Sequence, residues 1–246
     1  MFIVGGEQRE NEIRTVVSNE CFIVNEMTYE LEKRACMKNG RAGHQLAHLH
    51  HRFEFKTKDF IYAVGSKYPD ETSKKCEVYD LAKNKWTEIG ELNFSRHYHT
   101  ITIVENRYLY AIGGRDSMTE APLESIERLD GFVDVEKQKW ESIQLVNKDG
   151  LWSARDTIGS FALGDSEILI FGGDNGWISD CDSFNTKTNE IERQESSLKK
   201  PEDFFRSHSV KYNDKVFIVG CLDRDVHVFT PKKKKWFLLE KWFVDW

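Results

Sequence analysis

Four histidines stand close together early in the chain, at His44, His48, His50 and His51. Imidazole nitrogens are common ligands of Zn²⁺ and of other transition metals. The first three histidines share the parity that places alternate side chains on one face of a β-strand. A structural metal site is normally completed by Cys, Asp or Glu at characteristic spacing, and we find no such pattern beside them. We therefore predict a surface strand without a metal or other cofactor, with a metal site as the alternative.

An arginine begins each of four segments, at Arg41, Arg96, Arg155 and Arg206. A guanidinium group binds a carboxylate through two parallel hydrogen bonds, which suits arginine to clamping acidic groups. Arginines that recur once per structural unit would form a ring near one end of the molecule. We predict that this ring contacts a protein partner, with an acidic peptide as the candidate ligand.

Three further side chains lie in polar, turn-like stretches: Tyr68 in SKYPDETS, Arg115 in RDSMTEAPLES and Trp177 in DNGWISD. Binding hot spots favour Trp, Tyr and Arg, and an exposed indole is costly unless something covers it. We predict that all three contact the partner. The alternative for Trp177 is that the ring folds back onto its own loop.

The elements that position these residues recur along the chain. A short apolar run ends in glycine five times, at Gly5, Gly65, Gly113, Gly172 and Gly220, with steps of 60, 48, 59 and 48 residues. Repeats of about 50 residues are typical of propeller blades. We expect each glycine to permit the backbone angles of a strand end and a close approach of the neighbouring backbone.

A second landmark follows each glycine. An apolar residue precedes a polar stretch and, seven places on, a further aromatic or apolar residue. The pairs are Tyr79 and Trp86, Val133 and Trp140, Phe229 and Trp236, and, with weaker residues, Phe22 and Tyr29, and Phe184 and Ile191. A polar stretch between two β-rich runs predicts a hairpin, so each unit becomes a four-stranded antiparallel sheet.

Composition limits the class of protein. The chain has 246 residues, 39% hydrophobic and 31% charged, and a formal net charge of −6, which predicts a folded chain and argues against a nucleic-acid partner. Its five cysteines are widely spaced without a Cys-x-x-Cys pair, so we expect reduced thiols in the cytoplasm. No apolar run approaches the ~20 residues of a membrane helix, and the N-terminus lacks the features of a signal peptide, so we predict no membrane insertion.

The landmarks, in this order and spacing, resemble the kelch repeat, whose motif is a double glycine after an apolar strand followed by Tyr-Asp and a Trp. YAIGG with Trp140, and YAVG with EVYDLAKNKW, carry the resemblance best, and it extends over essentially the whole chain. It implies an all-β, kelch-type β-propeller of five blades of four antiparallel strands. We place one domain over 1–246, with blades at roughly 1–40, 41–95, 96–154, 155–205 and 206–246.

Closure of the ring is the open point of this fold. The first blade lacks its innermost strand, and Glu240–Trp246 is the only local candidate to supply it. A six-bladed or incomplete ring, completed by a continuation or a neighbour, is the alternative.

The resemblance also supplies alternatives for the chemistry. Kelch repeats commonly use the junction arginine for hydrogen bonds between blades, which would make it structural. Kelch-fold enzymes include copper oxidases, iron-dependent specifier proteins and sialic-acid epimerases, and Asp116, Asp174 and Asp223 stand where acidic iron ligands would be needed. Aspartate after a glycine turn is also ordinary turn chemistry.

We therefore predict a protein-interaction scaffold that binds a protein partner through its rim loops, within a larger cytoplasmic or cytoskeletal assembly, with a ciliary location as a further option. No BTB or BACK segment precedes the repeats, so we favour an assembly component over a ubiquitin-ligase adaptor. We predict no enzymatic activity. The alternative is a kelch-fold enzyme or a metal-dependent small-molecule site, which requires an open polar pocket in the central channel.

Overall fold

The computed structural model describes residues 2–9, 15–53, 56–173, 181–194, 208–213, 215–219, 226–231 and 235–239. Five blade sheets of mainly antiparallel strands follow one another along these residues, and the first of them has a two-stranded hairpin inserted between its strands. Loops and two short 3₁₀ turns join the strands. The predicted fold class, an all-β propeller of five blades, is confirmed.

The strands are numbered in chain order. The first two blades and the hairpin between β1 and β4 comprise β1 (Phe2–Val4), β2 (Glu7–Arg9), β3 (Thr15–Val17), β4 (Cys21–Val24), β5 (Leu31–Lys33), β6 (Gln45–Phe53), β7 (Lys56–Val64), β8 (Cys76–Asp80) and β9 (Lys85–Ile89). The third blade comprises β10 (Thr100–Val104), β11 (Tyr108–Ile112), β12 (Ile126–Asp130) and β13 (Trp140–Ser142). The last two comprise β14 (Val146–Asn147), β15 (Gly159–Ala162), β16 (Glu167–Phe171), β17 (Cys181–Asn185), β18 (Glu190–Gln194), β19 (His208–Tyr212), β20 (Lys215–Val219), β21 (Val226–Thr230) and β22 (Lys235–Leu239). The 3₁₀ turns are Glu71–Lys74 and Val135–Lys137.

The second blade shows the plan that the others repeat. Its strands pair in the order β6-β7-β8-β9, all antiparallel. The innermost strands β6, β10, β15 and β19 contact one another in succession. The loop after the second strand and the linker to the next blade therefore emerge at one end of the sheets, which we call the loop end.

Two blades depart from the predicted four strands. The first sheet has three described strands, β1-β4-β5, which agrees with the missing innermost strand. The fourth sheet has five, because β14 from the preceding linker joins β18 in parallel. The candidate closing segment, Glu240–Trp246, lies outside the described residues.

The hairpin landmarks are correct in three blades and wrong in two. Tyr79 pairs with Trp86, Phe184 with Ile191 and Phe229 with Trp236, as predicted. In the third blade Trp140 pairs with Leu129 rather than Val133, because the longer connection includes the second 3₁₀ turn. In the first blade the corresponding pair is Val24 and Leu31. Tyr29 lies in the turn with a left-handed φ of 58°.

Side chains from neighbouring sheets form four apolar clusters, one at each successive junction. Between the second and third blades, for example, Leu49, Tyr62 and Val78 pack against Leu109 and Trp140. Corresponding clusters join the first blade to the second, the third to the fourth, and the fourth to the fifth. In central strands such as β8, β11 and β17, successive residues are therefore buried, which means that both faces of the sheet are covered, as expected for stacked blades.

The glycine that ends the second strand of a blade is required for two reasons. Gly65 has a left-handed φ of 76°, and a Cβ on it would lie 2.2 Å from the carbonyl oxygen of Arg96. Gly5 and Gly113 make the same approach to the carbonyl oxygens of Arg41 and Arg155. The close approach joins each blade to the linker that opens the following one, which matches the predicted role of these glycines.

Candidate functional site

The linkers that open successive blades are joined at the loop end by backbone hydrogen bonds. The amide N of Tyr98 donates to the carbonyl O of Gly43 at 3.1 Å, and the amide N of Thr157 donates to that of Tyr98 at 2.8 Å. Each residue stands two places after its junction arginine and has a left-handed φ: 62° for Gly43, 51° for Tyr98 and 52° for Thr157. Such φ values are uncommon for residues other than glycine and tend to cluster at functional sites.

A cavity of about 440 Å³ opens beside these linker residues, between the beginnings of the innermost strands. We call it the axial cavity. The strands supply Gln45, Thr100, Ser160 and Ser209 to its wall. The linkers supply Tyr98, His99 and Thr157. Ile101, Ile158 and Gly159 complete the lining. Among the described residues that line the cavity there is no lysine, arginine, aspartate or glutamate, so the wall is uncharged and combines polar with apolar side chains.

Part of this wall is a hydroxyl network that connects three blades. Ser160 Oγ lies 2.9 Å from Thr100 Oγ1 and also contacts Thr102 Oγ1. Ser209 Oγ donates to the carbonyl O of Ser160 at 3.3 Å. These contacts hold the starts of β10, β15 and β19 at a set separation and keep the cavity open.

Two polar side chains of the wall have hydrogen-bonding atoms without a partner. His99 is buried, and neither its Nδ1 nor its Nε2 is bonded; Thr157 Oγ1 is likewise buried and unbonded. Burial lowers the pKa of His99 well below its usual value, and the charges of Arg96, His44 and His97 lower it further. His99 is therefore neutral, with one ring nitrogen as donor and the other as acceptor.

The junction arginines are not exposed to a partner. Arg41, Arg96 and Arg155 are completely buried, and each pairs with a carboxylate of its own blade. Arg41 reaches Glu77 at 2.8 Å, and Arg96 reaches Glu127 at 2.6 Å.

The third pair, Arg155 and Asp182, is in direct contact in the fourth blade. In each of the three arginines, Nη1 donates to the backbone carbonyl of the glycine that ends the second strand of the same blade.

Two of these carboxylates also bind the linker backbone. Glu77 accepts from the amide N of Lys38 at 2.7 Å, and Glu127 accepts from that of Asn93 at 2.7 Å. Each arginine–carboxylate pair thus joins the incoming linker to the third strand, which is a structural role.

The predicted ring of exposed arginines is therefore corrected for these three, because their guanidinium groups are closed off from solvent. Arg206 lies outside the described residues.

The sequence does contain a signal for these carboxylates. An acidic residue stands two places before the hairpin residue in EVY, ERL and DSF, at Glu77, Glu127 and Asp182. The corresponding position is Phe22 in the first blade and His227 in the fifth, as the strand registers show. Reading this position together with the junction arginine would have predicted the buried pairs.

Tyr68 lies at the loop end, in the loop after β7. Its hydroxyl donates to Glu7 of the first blade at 3.0 Å, and Lys67 forms an ion pair with the same carboxylate. The hydrogen bond from Lys67 lowers the pKa of Glu7. The ring of Tyr68 is partly exposed, so it stands where a partner can reach it.

Arg115 lies at the same end, in the loop after β11. Its side chain, 32% exposed, binds Asp156 of the next linker at 2.7 Å. Asp156 is buried, so Arg115 neutralises a buried carboxylate as well as facing solvent. Met118, further along this loop, is 60% exposed. Trp177 lies outside the described residues.

The histidine cluster divides between two environments. His44 precedes β6, and burial lowers its pKa to about 4. His48 and His50 are exposed and share the carboxylate of Asp59 from β7, at 3.3 and 2.6 Å. No group of three metal-ligating residues occurs within the described part of the chain, where the side chain of His51 is not included.

Two other candidates for chemistry have structural surroundings. Asp116 accepts from the amide N of Met118 and of Thr119, which is the expected turn chemistry; Asp174 and Asp223 lie outside the described residues. His97 Nδ1 lies 3.1 Å from Ser117 Oγ, which resembles a nucleophile beside its base. Both residues are buried, however, and Ser117 donates to the carbonyl O of Ser66 at 2.6 Å.

Comparison with known families agrees with this architecture. The model of the KLHDC2/KLHL20/DRC7 Kelch-repeats domain matches residues 49–241, which is most of the chain. The chain belongs to the kelch-repeat family. Its kelch blades use the glycine, the hairpin residue and the junction arginine as joints between sheets, and these joints surround the axial cavity.

Several curated kelch proteins are similar to the chain. A RING finger domain and kelch repeat-containing protein of Dictyostelium discoideum is 27% identical over 57% of the chain and 12% of its own length. Human Kelch-like protein 23 is 27% identical over 72% of the chain and 30% of its own length. Alpha-scruin of Limulus polyphemus is 38% identical over 24% of the chain and 7% of its own length. The chain thus matches less than a third of each of these relatives.

Among the described residues, no helix is long and apolar enough to cross a bilayer.

Proposed function

We propose that this kelch propeller is a protein-interaction module that binds one segment of a protein partner at its loop end. The observation that carries the proposal is the open, uncharged axial cavity, which lies at the same end as Tyr68 and the Arg115 loop. We further propose that it acts by binding rather than by catalysis, as a component of a larger cytoplasmic or cytoskeletal assembly.

Three features support this choice of surface. Loops on a rigid scaffold are where binding residues concentrate, and the loop end collects the longest connections of each blade. Tyr68 and Arg115 combine an aromatic ring and a guanidinium group, the side chains that dominate interface hot spots. Met118 adds an exposed apolar contact beside them. In the proposal Trp177 contributes from the corresponding loop of the fourth blade.

The open cavity also bears on the alternative of a kelch-fold enzyme, which requires such a space. Its described wall holds hydroxyl, amide and neutral imidazole groups. General acid–base chemistry most often uses histidine, but burial holds the pKa of His99, the histidine of this wall, well below its ordinary value. The wall is therefore better suited to holding a partner group than to transforming it.

Affinity purification from the source cells tests the proposal. The bait is the chain with Tyr68→Ala and Met118→Glu together; Arg115 is kept, because its loss would leave Asp156 as a buried, unpaired charge. Removing a hot-spot contact and placing a charge in the interface should each weaken binding about tenfold or more. We expect quantitative mass spectrometry to show loss of at least one protein that the unaltered chain captures.

The matched control is Lys137→Ala, at an exposed turn on the opposite end of the sheets. It should capture the same proteins as the unaltered chain. Equal capture by all three baits would contradict binding at the loop end. Thermal unfolding of each bait establishes that the substitutions leave the fold intact.

A further inference from the structure

The turn between β4 and β5, residues 25–30, carries the two most exposed large apolar side chains of the described part of the chain. Met27 is 90% exposed and Tyr29 is 81% exposed. We call this turn the first-blade tip. It joins a third strand to a fourth and therefore lies at the end of the sheets opposite the loop end.

We infer that the first-blade tip is a second binding surface. It inserts Met27 and Tyr29 into an apolar pocket of a protein partner, and lysine or arginine side chains border that pocket. The inference goes beyond the proposed function, because the two surfaces lie at opposite ends of the propeller and bind separate partner segments.

The fourth blade contains the same turn with different side chains. Asn25 and Asn185 begin the two turns, and the side chain of each accepts hydrogen bonds from the amides two and three places further on. The amide N of Tyr29 donates to the carbonyl O of Asn25 at 2.8 Å, and that of Asn189 donates to Asn185 at 2.9 Å. Because the turn forms with Lys187 and Asn189, its backbone does not require the apolar pair of the first blade.

The backbone conformation at Tyr29 is unfavourable for tyrosine. Its φ of 58° is left-handed, and the equivalent residues Asn189 and Asn84 have φ values of 58° and 49°. Asparagine tolerates this conformation better than tyrosine does, because its short amide can hydrogen-bond locally. Asn84 also serves the fold, since its Oδ1 accepts from the amide N of Ala35 at 2.9 Å.

The side chain of Tyr29 has no such role inside the protein. It makes no hydrogen bond and no ring contact with another described residue, and most of its surface faces solvent. A tyrosine that strains the turn and packs on nothing in its own chain is accounted for by a contact outside the chain. Tyrosine is also among the side chains that dominate interface hot spots.

The side chains around the pair define the chemistry of the partner site. Glu26 and Glu30 are exposed beside Met27 and Tyr29, and the turn contains no lysine or arginine. In the fourth blade the exposed Lys187 stands in the place of Met27. Methionine adapts its shape to irregular apolar pockets. A pocket that covers both side chains and is bordered by cations therefore complements the tip in polarity and in charge.

The two carboxylates of the tip also argue against other occupants. Anionic lipids attract basic segments to the cytoplasmic face of a membrane, so an acidic tip is repelled there. Nucleic acid is disfavoured for the same reason, because its phosphates require cations. Two copies of the tip would likewise repel each other. A pocket on a different protein remains as the partner that fits.

Photo-cross-linking from the tip identifies the partner and the chemistry of its binding site. The photoreactive residue p-benzoylphenylalanine replaces Tyr29 in the full chain, which is expressed in the source cells, and irradiation is followed by mass spectrometry of the adducts. The matched control carries the same photoreactive residue in place of Asn189. We expect protein adducts from position 29 alone. The cross-linked segment of the partner should contain apolar residues with lysine or arginine beside them.

Exchange of the tip for its fourth-blade equivalent tests the two side chains without damage to the fold. The double variant Met27→Lys, Tyr29→Asn is compared with the unaltered chain by calorimetric titration with the purified cross-linked protein. We expect at least tenfold weaker binding. The melting temperature should nevertheless rise by about 2–4 °C, because asparagine relieves the left-handed residue. The control Lys187→Ala should leave the affinity unchanged.

Weaker binding by a more stable protein cannot result from unfolding, so these two results together support the surface directly. Unchanged affinity of the double variant would overturn the inference. It would also be overturned by adducts to lipid, to a second copy of the chain or to a protein segment without apolar and basic residues, and by the absence of adducts specific to position 29. None of these results bears on the loop end, whose bait variants at Tyr68 and Met118 lie at the other end of the sheets.

Discussion

At the scale of single residues, the decisive feature is a set of buried ion pairs that join the linkers to the sheets. Arg96 and Glu127 are both completely buried, 2.6 Å apart, and each makes further hydrogen bonds to backbone or side chain. A buried pair of this kind adds little net stability compared with apolar residues, but removing one partner leaves the other charge without compensation. The arginine and its carboxylate therefore act as one unit.

We predict that Arg96→Ala lowers the free energy of unfolding by about 3–5 kcal/mol, the cost of an unpaired buried charge. The matched control is Arg107→Ala, which breaks the more exposed pair with Asp130 and should cost about 1 kcal/mol or less. Urea denaturation of the three proteins measures both values.

A domain of marginal stability can fail to fold after so large a loss. Glu127→Gln, which keeps the shape and an oxygen that can still accept a hydrogen bond from Arg96, then provides a second comparison, and its loss should also exceed that of Arg107→Ala. Similar losses for Arg96→Ala and Arg107→Ala would contradict the structural role of the buried pair.

At the scale of elements, the linker that opens each blade packs against the glycine that ends the second strand of the preceding blade, and we call this contact a joint. His44, His99 and Ile158 stand three places after their arginines and lie against Gly5, Gly65 and Gly113. The two histidines are held neutral by burial and by the adjacent arginines. The joint therefore responds to pH where it contains histidine and is insensitive to pH where it contains isoleucine.

We predict that acidification weakens the fold through these two joints. The pKa of His44 is about 4 in the folded chain and that of His99 is well below its ordinary value, against about 6.5 when unfolded. A lowered pKa means that the unfolded chain binds protons first as pH falls below about 6.5. The contribution of the two neutral histidines to the free energy of unfolding is therefore complete at neutral pH and is lost as pH decreases towards 4.

Between pH 7 and pH 5 the loss should be about 2 kcal/mol for His44, and His99 should add a loss of the same sign. Urea unfolding at the two pH values measures it in the unaltered chain and in the double variant His44→Ile, His99→Ile. The variant should lose correspondingly less stability. An equal loss in both proteins would show that other groups carry the pH dependence.

At the scale of the whole molecule, stability comes from the surfaces between blades. Trp86, in the outer strand of the second blade, is 9% exposed. The equivalent residues of the third and fourth blades, Trp140 and Ile191, are 4% and 0% exposed. Leu31 has the same place in the first blade and is 58% exposed. An apolar side chain at this position is therefore buried in one blade and exposed to solvent in another, because its burial depends on the sheet that packs against it.

This difference predicts unequal effects of one substitution at equivalent positions. Ile191→Ala should lower the free energy of unfolding by about 2–5 kcal/mol, because it leaves a cavity between the third and fourth blades. Leu31→Ala should change it by about 0.5 kcal/mol or less, since little buried surface is lost. Chemical denaturation distinguishes the two; a large loss for Leu31→Ala would mean that its side chain is covered in solution.

Much of this architecture could be predicted from local pattern. The apolar runs ending in Gly5, Gly65 and Gly113 are correct because both the left-handed φ and the close approach at these sites exclude a Cβ. Pairs such as Tyr79 and Trp86 are correct because a short turn sets the register of its strands. The two wrong pairs, at Val133 and Tyr29, occur where the turn differs in length or position from this pattern.

The sequence by itself determined the repeat, the family and the all-β fold, since these depend on turn chemistry and on the alternation of side chains along strands. Only the tertiary structure decided that the junction arginines are buried, because their carboxylates lie 27 to 36 residues further along the chain. The tertiary structure also determined where the axial cavity lies, because its wall brings together the starts of four strands from four blades. Burial and convergence depend on how sheets stack, which no local spacing encodes.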